Sequence, residues 1–280
     1  MKLKEIYSTD KTVVSFEVFP PKSDIDKLLQ EINILQKHNP AFISLTYGAG
    51  GSENRSFDLL KKIKNTGVNV MPHFTCISSS KESIEADMKK FGDIGIENIL
   101  ALRGDIPENN ELLRNDFRYA NELVSFIKDK TNLSAGVAGY PEGHIETPDL
   151  KTDIENLKKK VDAGADAIFT QLFFDNALFF DYVNRVRNAG IEVPVIAGIM
   201  PVISEKQVNK MASMANITVP VNIKRNIQKY KGKDLIDYGI DFASSQCKVL
   251  IENNVKGLHF FTLNKAYSAN KILDNIKGEI

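Results

Sequence analysis

Short apolar runs alternate with amphipathic stretches along almost the whole chain. Eight of these runs are rich in β-branched and aromatic residues, a composition typical of buried strands. They span residues 13–19, 42–47, 69–76, 98–103, 134–140, 167–174, 193–199 and 257–263. The stretches between them carry apolar residues at helical spacing, as at Leu28, Ile32 and Leu35 after the cap candidates Ser23 and Asp24. Eight strand and helix units in succession predict an α/β fold, a (β/α)8 TIM barrel.

The chain shows no linker, low-complexity tract or charge run that would separate two domains. We therefore expect residues 1–280 to form a single (β/α)8 barrel catalytic domain. Because the stretch 220–254 is longer than one strand and helix unit requires, we expect an extra helix within it.

Composition narrows the classes of partner. Lys and Arg together number 36, as do Asp and Glu, so the formal net charge is zero and nucleic acid is not an expected partner. Cys76 and Cys247 are the only cysteines, which fits a reducing compartment better than a disulfide framework. The N-terminus lacks the apolar core of a signal peptide and no apolar run is long enough to span a membrane, so we expect a cytoplasmic protein that does not bind a membrane.

In a barrel of this kind, functional side chains gather at the C-terminal ends of the strands, on the inward face. Alternation along the first strand places Ser15 and Glu17 on the face opposite Val14, Phe16 and Val18. The next five strands present further candidates at the same end, namely Ser44, Thr46, His73, Thr75, Arg103, Asp105, Ala138, Tyr140 and Gln171. Polar groups on so many successive strands predict a binding site for a large ligand.

Glu17 is the candidate for acid chemistry. A carboxyl buried among apolar groups has a raised pKa, so Glu17 is expected to hold a proton near neutral pH and to act as a general acid. The alternative is a structural carboxylate paired to a basic neighbour, and the segment alone leaves both interpretations open.

Other motifs exclude several chemistries. The segment GAGGSE at 48–53 lacks the third glycine of a dinucleotide fingerprint, and the chain has no P-loop and no GxSxG nucleophile motif. It also has no HExxH and no CxxC, so no metal site is expected. After the fifth strand, Lys159 and Lys160 follow Asp153 and Asn156 on a predicted helix. The lysines can meet phosphates and the other two side chains can meet hydroxyls, which favours a cofactor held by barrel loops. A solvated basic face at 158–160 is the alternative.

Eight motifs in this order carry a family resemblance: FEVFPPK, FISLTYGAGGS, PHFTC, ILALRGDIP, AGYPEGH, KKKVDAGADAIFTQLFFD, GIMPV and HFFTLNKA. Together they resemble the methylenetetrahydrofolate reductases, over nearly the whole chain, and the length is similar to the bacterial single-domain type. The resemblance implies a (β/α)8 flavoprotein that holds FAD. Its activity would be reduction of 5,10-methylenetetrahydrofolate to 5-methyltetrahydrofolate with NADH or NADPH, by ping-pong kinetics through flavin N5.

The resemblance also implies residue roles. Glu17 matches the catalytic glutamate that protonates the leaving nitrogen of the folate, and Asp105 is expected close to the flavin and pterin rings. The implied substrate-binding residues are Gln171, Gln207, Met211 and Lys265. The implied cofactor-binding residues are Thr46, His73, Arg103, Asp105, Ala138, Tyr140, His144, Asp153, Asn156, Lys159 and Lys160. Relatives of this kind commonly assemble, so a homo-oligomer is expected.

The chain departs from the family pattern at three positions. Met211 stands where relatives often have Phe, which removes an aromatic stacking partner. Lys159 and Lys265 stand where relatives have Arg, which keeps the charge but gives up bidentate recognition. Two other classes stay open at this point: a flavin-free pterin-binding barrel of a methyl-transfer system, and a degenerate barrel that serves as a partner subunit.

Overall fold

The computed structural model describes residues 1–46, 53–105 and 116–280. Eight parallel strands close into a barrel in chain order, which confirms the predicted (β/α)8 TIM barrel. The strands are β1 (Val13–Val18), β2 (Ile43–Thr46), β3 (Val70–Thr75), β4 (Asn98–Leu102), β5 (Ser134–Gly139), β6 (Ala167–Leu172), β7 (Val195–Ile199) and β8 (Gly257–Phe261). Tyr47, at the end of the second predicted strand, and the glycines at 48–51 lie outside the described residues.

One short helix precedes the first strand, and the other helices follow the strands around the outside. They are α1 (Leu3–Ile6), α2 (Ile25–Leu35), α3 (Glu53–Lys64), α4 (Lys81–Asp93), α5 (Ala120–Lys130), α6 (Leu150–Asp162), α7 (Asn176–Asn188), α8 (Glu205–Ala215), α9 (Val221–Lys229), α10 (Gly232–Glu252) and α11 (Ala266–Ile276). None of those in the described ranges combines the length and apolar character needed to cross a bilayer.

Local sequence explains where these helices begin. The Asp24 carboxylate accepts a hydrogen bond from the backbone N–H of Lys27 at 2.8 Å, which caps α2. Leu28, Ile32 and Leu35 then form the buried face of the helix, as their spacing predicts.

The lower end of the barrel is closed by apolar side chains. Leu3 and Ile6 of α1, together with Tyr7, pack against interior residues that include Phe42 and Phe169. An apolar floor of this kind excludes water from that end, so the polar side chains of the interior lie above it, towards the C-terminal ends of the strands.

The connection from β7 to β8 is the longest on the outside of the barrel. It holds α8 and α9 before α10, and α9 lies within the stretch 220–254 where an extra helix is expected. The added helices bury a second apolar cluster that includes Met200, Val208 and Ile223. Gly239 allows this packing, because a Cβ at that position of α10 would lie 1.8 Å from the carbonyl oxygen of Val202.

Candidate functional site

Five inward side chains form a polar group in the middle of the barrel, which we name the central cluster: Ser15, Glu17, Ser44, His73 and His259. Strand register brings them together. Ser15 on β1 pairs in register with His259 on β8, and Glu17 pairs with Ser44 on β2. Inward residues at matched heights converge on the barrel axis, so these residues meet although the chain separates them widely.

Glu17 faces two imidazoles through a single oxygen. Its Oε2 atom lies 3.5 Å from Nε2 of His73 and 3.8 Å from Nε2 of His259. The Glu17 side chain is 22% exposed to solvent, whereas the His259 side chain is 2% exposed. The carboxyl therefore lies at the upper edge of the cluster, between buried imidazoles below and the open mouth of the barrel above.

Two buried serines hold the imidazoles. The hydroxyl of Ser15 lies 2.8 Å from Nδ1 of His259. The hydroxyl of Ser44 lies 3.3 Å from Nε2 of His259 and 3.2 Å from Nε2 of His73. Both serines are fully buried, so these contacts satisfy groups that have no access to water.

The expected rise in the pKa of Glu17 is wrong for this structure. Burial is the largest influence and raises the pKa of the carboxyl, as the sequence argument assumes, but His73 and His259 together outweigh it and hold the pKa below its usual value. Burial in turn lowers the pKa of His73, against the opposing effect of the Glu17 charge. The Glu17 carboxyl points inward, as alternation along the strand predicts, but it is paired with basic neighbours, as the second interpretation expects.

A second polar region lies to one side of the barrel mouth, and we name it the side cavity. It has a volume of about 730 Å³, within the size range of ligand pockets. The ends of β4 and β5, one side of α6 and the segments 117–121 and 144–148 form most of its wall. It gathers most of the cofactor-binding residues that the sequence predicts: Arg103, Ala138, Tyr140, His144, Asp153, Asn156, Lys159 and Lys160.

Cations of the side cavity have few anionic partners. Lys160 donates to the carbonyl of Ala138 at 2.6 Å and has no carboxylate within ion-pair distance among the described residues. Lys159 donates to the side-chain carbonyl of Asn156 at 3.0 Å. Arg103 differs, because it makes a two-point pair with Glu146, whose side chain is 49% exposed.

Burial perturbs the charged groups of the side cavity. It lowers the pKa of Lys160 to about 8, although Asp153 opposes the shift. It raises the pKa of Asp153, which accepts hydrogen bonds from the backbone N–H of His144 and the hydroxyl of Thr147. The partly buried ammonium of Lys160, with one carbonyl partner, still has two donors that suit an anionic oxygen of a ligand.

Three cofactor candidates lie apart from the side cavity. His73 belongs to the central cluster, and Thr46 ends β2 beside it in register. Asp105 follows β4 with an exposed side chain, and the segment 106–115 after it lies outside the described residues.

The substrate candidates are spread over β6 and the connections after β7 and β8. The side-chain oxygen of Gln171 accepts from the backbone N–H of Leu172 at 2.9 Å, and Gln207 accepts from the backbone N–H of Ile203 at 3.2 Å. Met211 packs partly buried against the second apolar cluster, and Lys265 is the exposed residue before α11. The structure brings none of these four into the side cavity wall.

Sequence reasoning missed His259 and Glu146. Alternation along the eighth strand places His259 and Phe261 on one face, so extending the inward-face argument to that strand would have found the histidine. Glu146 lies in a loop, where no periodicity indicates the direction of a side chain.

The fold and these two regions define the class of the protein as a (β/α)8 barrel with a candidate ligand site at the C-terminal ends of its strands. Comparisons with known proteins then identify the family. The sequence profile of the family described as "Methylenetetrahydrofolate reductase" matches residues 2–277. The chain belongs to this family.

Curated relatives agree with that assignment. The chain is 38% identical to "5,10-methylenetetrahydrofolate reductase" of Escherichia coli over 264 residues, which cover 90% of this chain and 86% of that protein. It is 36% identical to "Methylenetetrahydrofolate reductase (NADH) 1" of Arabidopsis thaliana over 98% of this chain and 50% of that one. The chain therefore spans about half the length of the plant relatives it matches.

Solved structures support the fold alone. A protein from Clostridium thermocellum, described as binding two copies of 5-methyl-5,6,7,8-tetrahydrofolic acid, superposes with a TM-score of 0.72 at 12% identity, over 99% of this chain and 98% of the other. Tryptophan synthase of Mycobacterium tuberculosis reaches a TM-score of 0.60 at 9% identity, over 100% of this chain and 98% of the other.

Proposed function

We propose that this protein is a methylenetetrahydrofolate reductase that binds FAD and reduces 5,10-methylenetetrahydrofolate to 5-methyltetrahydrofolate with NADH or NADPH. The observation that carries the proposal is the inward position of Glu17 at the open end of the barrel, in a chain of this family. A partly exposed carboxyl at that point can reach a ligand that enters through the mouth.

The residues of the side cavity fit a flavin nucleotide. Lys159 and Lys160 offer cationic donors for phosphate oxygens, and Asn156 and Asp153 offer partners for hydroxyls. The ring of Tyr140 lies 4.6 Å from that of His144 between centroids, so the wall also contains flat surfaces for a planar ligand. When bound, the flavin would accept a hydride from the reduced nicotinamide and pass it to the folate.

The role of Glu17 is to protonate the nitrogen that leaves when the five-membered ring of the folate opens. The remaining exposure of Glu17 lets a bound pterin cover it, and covering removes water from the carboxyl. Loss of water raises the pKa of a carboxyl, so substrate binding favours the protonated form of Glu17 that the reaction needs.

The other candidates have positioning and electrostatic roles in this proposal. Asp105 supplies negative charge near the cation that forms when the ring opens. Gln171, Gln207, Met211 and Lys265 approach the folate from the opposite side of the mouth, which their spread over β6, α8 and the start of α11 supports. Because donor and folate would react with the same flavin atom, we expect ping-pong kinetics.

An absorbance spectrum tests the proposal directly. The purified protein should be yellow, should bleach when NADH or NADPH is added without oxygen, and should recover its colour when methylenetetrahydrofolate follows. A colourless protein that binds folate would replace the proposal by a flavin-free pterin-binding barrel. A yellow protein that bleaches but does not recover would indicate a degenerate barrel. Homo-oligomer formation and a cytoplasmic location stay predictions.

A further inference from the structure

The reaction proposed above leaves the buried imidazoles of His73 and His259 unused. Both come from interior strands, and both direct the same atom, Nε2, towards the same oxygen of Glu17. Histidines that served only to pack the interior would not need to direct the same ring atom at one carboxylate oxygen. Their convergence on Oε2 leaves the second oxygen, Oε1, without a partner among the described residues.

The hydrogen bond between Ser15 and His259 determines which ring nitrogen of His259 carries the hydrogen. A neutral imidazole whose Nδ1 accepts a hydrogen bond carries its hydrogen on Nε2. The hydroxyl of Ser15 is the donor placed to meet Nδ1, at 2.8 Å. Donation by Ser15 therefore leaves an N–H on the imidazole atom that faces Glu17.

Ser44 links the two imidazoles. Its hydroxyl lies within hydrogen-bond distance of Nε2 on both His73 and His259. A hydroxyl oxygen can accept two hydrogen bonds, so Ser44 can accept from an Nε2–H of both rings. Both imidazoles can then carry a hydrogen on the atom that faces Glu17.

We propose that His73, His259, Ser15 and Ser44 are positioning residues that hold Oε2 of Glu17 and leave Oε1 as the oxygen that protonates the substrate. This inference rests on the proposed function and deepens it. In the proton transfer, the O–H bond of Glu17 breaks and an N–H bond forms on the leaving nitrogen of the folate. The bond from that nitrogen to the methylene carbon breaks, and its electron pair stays on the nitrogen. The carboxylate that remains faces two imidazoles.

The charges around Glu17 agree with this arrangement. Among the described residues, the titratable groups that act on Glu17 are His73 on β3 and His259 on β8. Both lower the pKa of Glu17 and so make it a stronger acid than burial alone would, which favours protonation of a weakly basic nitrogen. Glu17 and His73 should titrate as one coupled pair.

The first test needs no turnover. The chain has four histidines, so a protein labelled with ¹⁵N-histidine gives few ring signals to follow across pH. Because the Glu17 charge raises the pKa of His73, Glu17→Gln should move the titration of His73 to lower pH. His38, which contacts Asn270 on the outside of the barrel, serves as the internal control. Identical titration of His73 in wild type and Glu17→Gln would overturn the inference.

The second test uses rapid kinetics of the two half-reactions. His259→Asn should slow reduction of the folate by about 10²-fold and leave flavin reduction by the nicotinamide unchanged. Because His259 lowers the pKa of Glu17, its removal should also move the falling limb of the folate pH profile to higher pH. Ser15→Ala should have the same effects at smaller size, because the imidazole stays but loses the contact to Nδ1. His38→Asn is the matched control and should behave as wild type.

Two outcomes would overturn the inference in this test. One is an equal fall of both half-reactions with loss of bound flavin, since this indicates only a packing role. The other is an unchanged pH profile in His259→Asn. A wild-type protein that fails to reduce the folate at all would instead contradict the proposed function, and the ¹⁵N titration would still report whether Glu17 and His73 are coupled.

Discussion

The central cluster and the side cavity are built in different ways. The central cluster stands on the interior faces of four strands, and its hydrogen bonds join its own members. The side cavity is formed by strand ends, loops and one helix, and its partly buried Lys160 has a single carbonyl partner. A cluster whose polar groups satisfy one another needs no ligand to be stable, whereas an ammonium with unused donors is completed by one. This difference is consistent with the proposed roles, which are proton transfer in the first region and cofactor binding in the second.

The largest expected effect is that of Glu17→Gln, which should impair the reaction assigned to the central cluster and not the cofactor binding assigned to the side cavity. Glu17→Gln keeps the size of the side chain but removes the acid, so folate reduction should fall by about 10³-fold or more, while flavin content and its reduction by the nicotinamide stay near wild type. Stopped-flow absorbance of each half-reaction measures both. Glu85→Gln, at a surface carboxylate that pairs with Lys130, is the control. If flavin reduction collapsed and folate reduction kept pace, the division between the regions would be wrong.

Lys160→Met should show the opposite pattern. The substitution removes a charge-assisted contact to the cofactor, so FAD should bind about 10 to 100 times more weakly, with little effect on folate reduction once FAD is saturating. Titration of the apoprotein by flavin fluorescence gives the dissociation constant. Lys158→Met is the matched control, because Lys158 lies on the same helix but pairs with Asp162. Equal losses in the two variants would indicate that the face is merely basic.

The pH dependence of flavin binding should follow from Lys160. Burial lowers the pKa of this residue to about 8 in the cofactor-free protein, and a neighbouring phosphate would raise it. Affinity should therefore be complete below about pH 8 and should fall as pH rises above that value. The dissociation constant measured between neutral and alkaline pH checks this. Lys160→Met should show a flat profile over the same range, and a slope that persists in the variant would contradict the assignment.

The smallest expected effect concerns Glu146. In the absence of cofactor its exposed carboxylate forms an ion pair with the guanidinium of Arg103. A phosphate of the cofactor would have to displace Glu146 from that guanidinium. Glu146→Gln should therefore strengthen FAD binding by no more than about fivefold, because exposed ion pairs contribute little. Fluorescence titration is again the measurement. Weaker binding in this variant would show that Glu146 contacts the cofactor instead of competing with it.

Regular elements were accessible from the sequence because their patterns repeat. The eight strands and the face of α2 follow from apolar spacing, and the inward direction of Glu17 follows from alternation along β1. Phe173 and Phe174 are buried beyond the last residue of β6, so the predicted strand was too long at this end. Burial of apolar residues continues past the hydrogen-bonded ladder, and hydrophobicity alone does not mark where a strand ends.

The sequence by itself determined the barrel and the inward carboxyl of its first strand, and it picked out part of the side cavity wall. Only the tertiary structure decided the sign of the pKa shift of Glu17. Closure of the barrel brings His259 beside β1, although it lies 244 positions from its partner Ser15 along the chain. The physical reason is that the pKa of a buried group depends on the charges within a few ångströms of it, and neighbours of that kind are chosen by strand register and not by sequence distance.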